Sequence, residues 1–462
     1  MKNAKRQKRN EDDKNGKYNR DHVYFDSSSD EEGLYEDDHV SIKSSSSEER
    51  GELGKEEDFI SLPVELDTRS RQDRRREFRD NAKRKRTDDD EEDWESHICF
   101  PWMDLVRLKP MPKPLSAIKL LQCEVDCFIQ YLEPTPIEVQ LREYLVHRIR
   151  HAIQSRFPEA EVFVFGSFST QLYLPNSDID LVVNVPPIQS GMLRRLAKII
   201  ESEDICRDPH IIENASVPVV KFEDTMTKLK VDIILNSNSG LESAVTINSL
   251  IRKYPALRPL SLIVKHLLAL RSLNEVYTGG LGGYAIVCLI VSFLQMHPKV
   301  ASGAIDPMKN LGPLLLDFFQ FYGLNFNLDE TGIDVRGNGS YYDKSHIHSR
   351  TGSSVFSIRD PQDRSNDIGC KSYNANQVVR AFKYAYISMS QKAFDLEAEL
   401  RHNNYESLDK KTLESPKRSS ILCEALHIST DFIKHRQLMN EVWNEKRWKN
   451  QAAAKTFEFL TV

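Results

Sequence analysis

Between Ser177 and Val183 the chain reads Ser-Asp-Ile-Asp-Leu-Val-Val. Aliphatic and β-branched residues of this kind favour a strand, and side chains two apart on a strand face the same way. Asp178 and Asp180 therefore share one face, while Ile179, Leu181 and Val183 share the other and require a core. Two carboxylates side by side repel, and a hard divalent cation with oxygen ligands relieves that repulsion. A second strand is predicted over Lys228–Leu235, in a hairpin with Val217–Phe222, with Glu223 to Thr227 as the connection. Its Asp232 interrupts an apolar run of Val231, Ile233, Ile234 and Leu235, and a buried aspartate there needs a partner. Alone, Asp232 reads equally well as a surface residue at a strand edge. Beside Asp178 and Asp180 it completes a set of three metal-binding carboxylates. Upstream, the strand Glu161–Gly166 is punctuated by Gly166-Ser167. A short helix over Phe168–Leu174 follows, stopped by Pro175-Asn176.

The rest of the 462 residues divides sharply. Residues 1–96 are almost all polar and charged, and such a segment cannot bury enough apolar surface to offset its ordering entropy. We read it as a disordered tail. Its serines before acidic residues (Asp26–Glu32, Ser44–Glu49) are candidate phosphorylation sites. Its basic clusters (Lys5–Arg9, Arg74–Arg76, Lys83–Arg86) suggest nuclear import or weak RNA contact. The remaining ~300 residues suffice for a substantial core. A net charge of −6 gives no global basic field to draw in nucleic acid. The seven cysteines are scattered; only Cys123 and Cys127 share a helix face, and no second pair completes a zinc site. A reduced intracellular compartment is expected. The longest apolar run, Tyr284–Leu294, is too short to span a bilayer, and Met1-Lys-Asn-Ala-Lys-Arg does not read as a secretory signal. No membrane association is expected.

Helical periodicity marks Ser116–Leu132 and, after Pro134 and Pro136, Ile137–Phe157. It returns over Leu257–Leu273, Gly283–Gln295, Gly312–Tyr322 and Gln377–Ser390. The expected fold class is α/β plus α: a small mixed sheet carrying the aspartates, then a mostly helical domain, with nucleotide in the cleft between them. Boundaries fall at 1–96 (tail), 97–250 (sheet domain), 251–395 (helical domain) and 396–462 (charged tail, partly helical over Asp431–Lys449). Trp443 and Trp448, five apart on that helix, would not stack on one face. His346 and His348 lie in a Gly/Ser/Tyr-rich stretch and read as a mobile loop.

Three such carboxylates can hold two Mg²⁺ ions about 3.5–4 Å apart, with Mn²⁺ as a substitute. The Gly166-Ser167 turn offers backbone N–H groups and a hydroxyl to phosphates. The chemistry expected is attack of a 3′-hydroxyl on the α-phosphate of a nucleoside triphosphate.

Phe165–Val183, read whole, resembles the signature of the DNA polymerase β-like nucleotidyltransferases. More narrowly it resembles the non-canonical poly(A) polymerases, in the topoisomerase-related-function branch of the TRAMP surveillance complex. The resemblance extends to Thr278–Ile286, Ser292–Pro298, Phe318–Asn327, Thr331–Ile333 and Asp360–Gly369. It implies a polymerase β-like palm with a helical central (PAP-associated) domain on which Ser116–Leu132 packs back. It also implies that Lys265 contacts the triphosphate, that Tyr284 stacks on the incoming base, and that Asp360–Ile368 recognises the nucleotide. Relatives often carry a second lysine where this chain has Ala269, and serine where it has Gly283. Uridylyltransferases of the caffeine-induced-death type carry histidine at the place of Asn366, whereas adenylate-adding relatives carry Asn-Asp, as Asn366-Asp367 do. The implied substrate is ATP, added to RNA 3′ ends. The implied partners are a zinc-knuckle RNA-binding protein and an RNA helicase, with the exosome acting downstream. The implied location is the nucleus, including the nucleolus. A terminal uridylyltransferase and a non-catalytic scaffold are the alternatives. No RNA-recognition module is visible in the chain.

Overall fold

The computed structural model describes residues 98–457, apart from 112, 187–190, 216, 345–354, 409–411 and 413. The readings of the N-terminal tail and of His346 and His348 fall outside these residues. So does the end of the chain after Phe457.

Apart from β1 (Ile98–Cys99), which pairs elsewhere, the main sheet runs in the order β2-β3-β6-β5-β4, built from β2 (Glu161–Phe165), β3 (Ile179–Asn184), β4 (His210–Ile212), β5 (Val219–Glu223) and β6 (Lys230–Leu235). β3 and β6 are parallel; the other neighbours are antiparallel. One face is covered by two helices, α3 (Pro136–Arg156) and α5 (Met192–Ser202). Leu141, Leu145, Ile149, Leu196 and Ile200 of these helices pack with Ile179, Leu181, Val183, Val231 and Ile233, all fully buried. α3 starts where its chemistry dictates: Pro136 takes the first turn, and Thr135 and Glu138 form a capping box. The opposite face carries Phe165, Val182, Val219 and Ile234, and with them the aspartates. The short helix α4 (Gly166–Thr170) rises directly from β2 and ends at Gln171, which is left-handed at φ 57°. α6 (Ser239–Lys253) packs over it; its Gly240 leaves no room for a Cβ, which would stand 2.5 Å from the Phe165 ring.

The second core is helical. α1 (Trp102–Leu108), α2 (Ala117–Leu132), α7 (Leu257–Ala269), α8 (Gly283–Met296), α9 (Leu311–Gln320) and α10 (Ala375–His402) share it. α2 thus packs on the helical domain, as the resemblance implied. Among the described residues no helix is long and apolar enough to cross a membrane.

The charged segment after residue 396 is not a tail. α10 continues to His402, and Ile421, Leu422, Leu426, Ile428 and Phe432 enter the helical core. Met439 and Val442 of α11 (Thr430–Asn444) enter the sheet-domain core. Sparse apolar residues make this packing while the charges stay outside. α11 also stops five residues short of Lys449. Lys446 turns left-handed at φ 55°, which brings the Trp443 and Trp448 rings to 6.0 Å at 37°. The expected separation of the two tryptophans holds only on a continuous helix.

Candidate active site

Strand register builds the acidic centre. Asp180 on β3 lies opposite Asp232 on parallel β6, and Asp178 stands one residue ahead of β3. Ligand oxygens of the three lie within 4.8 Å of one another. Burial, then the neighbouring Asp178 and Asp232 carboxylates, push the Asp180 carboxyl up to about 8. Burial also raises Asp232, against the pull of Lys221. Lys221 lies opposite Asp232 on antiparallel β5 and pairs with it directly. No protein donor bonds the carboxylates of Asp178 and Asp180 among the described residues. Convergent, under-neutralised carboxylates of this kind fit a divalent cation.

Gly166 is where glycine is obligatory. Its φ is +63°, and a Cβ there would stand 2.1 Å from Asp180 Oδ2. The Gly-Ser turn is therefore pressed against the acidic centre, and Ser167 follows on α4.

Lys265 projects from α7. Burial lowers its pKa while Asp178 and Asp180 hold it up. Its Nζ donates to the Leu172 carbonyl at 2.6 Å. A Cβ on Gly283, at the start of α8, would stand 3.9 Å from that Nζ, an ordinary contact distance, so the start of α8 borders the lysine. Tyr284, next in the helix, donates its hydroxyl to Asp360 Oδ1 at 3.1 Å. Asn366 Nδ2 donates to the other oxygen of the same carboxylate at 3.1 Å. Tyr284 and Asn366 are thus joined through Asp360. Asp367 behaves differently: it accepts from Ile358 N (2.8 Å), Gly369 N (2.9 Å) and Ser357 Oγ (2.6 Å). It folds the loop instead of presenting a free edge to a base.

The individual roles of three residues of this neighbourhood escaped the sequence reading. Asp360 is the hub for Tyr284, Asn366 and the Gln362 amide (2.9 Å). Lys221 is disclosed only by strand register. Glu275, in the loop before α8, has its pKa raised by burial and then by Asp178, so it borders the acidic centre. A cavity of about 630 Å³ lined by His147, Arg150, Phe168, Tyr173 and Arg258 includes none of the three aspartates, so volume alone does not locate this site.

Comparison with known proteins agrees with this geometry. Residues 121–253 match the family described as poly(A) RNA polymerase, mitochondrial-like, central palm domain, and residues 310–366 match the Cid1 family poly A polymerase domain. A poly(A) RNA polymerase of Cryptococcus neoformans is 40% identical over 308 residues, covering 66% of this chain and 40% of that protein. An inactive non-canonical poly(A) RNA polymerase protein of Drosophila melanogaster is 36% identical over 308 residues, covering 64% of this chain and 74% of that one. The solved polymerase core of TRAMP, an RNA surveillance complex, superposes with a TM-score of 0.62 at 32% identity, covering 71% of this chain and 98% of that one. The chain spans half or less of the length of the first fungal relatives it matches. Fold and site together define a polymerase β-like nucleotidyltransferase. The chain belongs to the non-canonical poly(A) RNA polymerases, in the branch represented by the TRAMP polymerase core.

Proposed function

We propose that this protein adds AMP from ATP to RNA 3′ ends without a template. The observation that carries the reading is the convergence of Asp178, Asp180 and Asp232 beside Gly166. A relative of known inactivity makes this chemistry, and not family membership, the argument for catalysis.

Mg²⁺ is the proposed cation, with Mn²⁺ able to replace it. Bound by the three carboxylates, it supplies charge to activate a 3′-hydroxyl and to stabilise the oxygen that leaves with pyrophosphate. The chain's own groups do the rest. Asp180 and Asp232 stand side by side because the sheet ladder fixes their backbones in register. Lys265 is placed to exchange its carbonyl partner for a phosphate oxygen. Tyr284 offers a ring face to the base, and stacking tolerates any base. Asn366, oriented by Asp360, offers an amide to the base edge. That amide supports ATP over UTP.

The partners proposed from the sequence resemblance are RNA, a zinc-knuckle RNA-binding protein and an RNA helicase, with the exosome acting on the tailed RNA. The basic clusters of the N-terminal segment support nuclear import. The test supplies each of the four NTPs separately with an RNA ending in a 3′-hydroxyl, beside the same RNA ending in 3′-deoxy. A ladder with ATP on the hydroxyl end alone supports the proposal. A ladder mainly with UTP would replace it by the uridylyltransferase reading.

A further inference from the structure

α3 carries two buried arginines, and they are used differently. Arg148 meets a carboxylate: its Nη1 lies 3.4 Å from Asp224 Oδ1, and its Nη2 donates to the Glu203 carbonyl at 2.9 Å. Both partners lie away from the acidic centre. Arg142 has no exposed surface at all. Its Nη2 donates to the carbonyls of Pro175 (2.7 Å) and Ser177 (2.6 Å). Its guanidinium stands 4.8 Å from the centre of the Tyr173 ring. Nε and Nη1 have no protein acceptor among the described residues. Burial lowers its pKa to about 10, against the attraction of Tyr173 and Asp178. A buried cation with unmet donors is costly, and an apolar side chain of similar volume would often be at least as stable. Stability is therefore a poor reason for an arginine at this place.

The carbonyls it grips give a better one. Pro175 and Ser177 belong to the turn that delivers Asp178. That turn is closed by Ser177 N to Leu174 O (2.8 Å) and by Leu174 N to Ser177 Oγ (3.0 Å). Asp180 and Asp232 are fixed by strand pairing, whereas Asp178 lies one residue outside the ladder. Its place depends on the turn. Lys265 holds the same segment from the helical side, through Leu172 O.

We propose that Arg142 is a positioning residue for metal binding: by holding the Pro175 and Ser177 carbonyls it fixes Asp178 against Asp180 and Asp232. The proposal rests on the nucleotidyl-transfer reading for its consequence in catalysis, but its primary measurement is metal affinity.

The test compares the wild-type full chain with Arg142→Gln, Arg142→Lys and Arg148→Gln. Mn²⁺ affinity is read by electron paramagnetic resonance without nucleotide, the Mg²⁺ requirement by AMP transfer, and folding by thermal unfolding. Arg142→Gln is expected to weaken Mn²⁺ binding about tenfold or more, as losing a group that orients a metal ligand commonly does. The apparent Mg²⁺ requirement should rise by the same factor, while kcat at saturating Mg²⁺ stays within about threefold, because excess metal recovers the bound state. Arg142→Lys should recover part of the affinity. Arg148→Gln should lower the melting temperature and leave Mn²⁺ binding at the wild-type value. The proposal is overturned if folded Arg142→Gln binds Mn²⁺ as wild type does, or if Arg148→Gln weakens binding equally. Should Arg142→Gln fail to fold, Arg142→Lys decides. It keeps the buried cation but loses the guanidinium fork that reaches both carbonyls, and unchanged Mn²⁺ binding there overturns the proposal. A wild type that binds Mn²⁺ but transfers no nucleotide would sink the functional reading and leave this one to the binding data.

Discussion

The acidic centre and the proposed recognition loop both place aspartates beside the proposed nucleotide site, yet they hold them in opposite ways. Asp178 and Asp180 receive no protein hydrogen bond among the described residues, and Asp180 is pushed up to about 8 by burial and its neighbours. Asp367 accepts from two backbone amides and a serine hydroxyl. One set of carboxylates is left without protein donors and suits a cation; the other is spent on folding a loop. The same residue type therefore costs stability in one place and supplies it in the other.

Like-for-like substitution breaks or sharpens that contrast most directly. Asp180→Asn should reduce AMP transfer by about 10³-fold or more, since the developing charge loses its support. It should also leave unchanged, or raise, the melting temperature of the metal-free protein, because a buried repulsion is removed. Asp367→Asn should do the reverse: a loss of about 1–3 kcal/mol in unfolding free energy, from amides left without their acceptor, with a smaller effect on kcat. If both substitutions lower stability equally, the contrast fails. Gly166→Ala comes next in activity. A Cβ forced against Asp180 at positive φ should cost about 10²-fold in kcat, the scale of a 1 Å misplacement.

The proton on Asp180 gives a third arm. Its folded pKa stands above the ordinary carboxylate value, so protonation stabilises the metal-free fold. That contribution is fully present below about pH 4 and is lost as pH rises through about 8. Cation binding must displace the proton, so Mn²⁺ affinity should rise by up to about tenfold per pH unit below pH 8 and then level off. An affinity flat from pH 6 to 9 would contradict the assignment. Smallest is Asn366→His, expected to move the ATP-to-UTP preference several-fold towards UTP; an unchanged ratio would detach Asn366 from base choice.

What the sequence disclosed follows periodicity. Asp178 and Asp180 were legible because a period of two sorts side chains onto faces, and α2 and α3 because apolar spacing and prolines mark them. Lys221 was not legible: its pairing with Asp232 depends on the register of β5 against β6. Arg142 acts through backbone carbonyls of a distant turn, and Asp360 ties its own loop to the hydroxyl of Tyr284 on a distant helix; no local pattern records either. The segment after residue 396 was misread because its few core residues are diluted by charge. Asp367 carried the motif's identity but not its geometry.

The most direct test of the account is RNA primer extension with ATP by the wild-type chain beside the Asp178→Asn/Asp180→Asn double variant, after thermal unfolding confirms that both are folded. The account predicts an adenylate ladder from the wild type and none from the variant. An equal ladder from both would contradict it, since transfer would then proceed without the carboxylates on which the whole site is built.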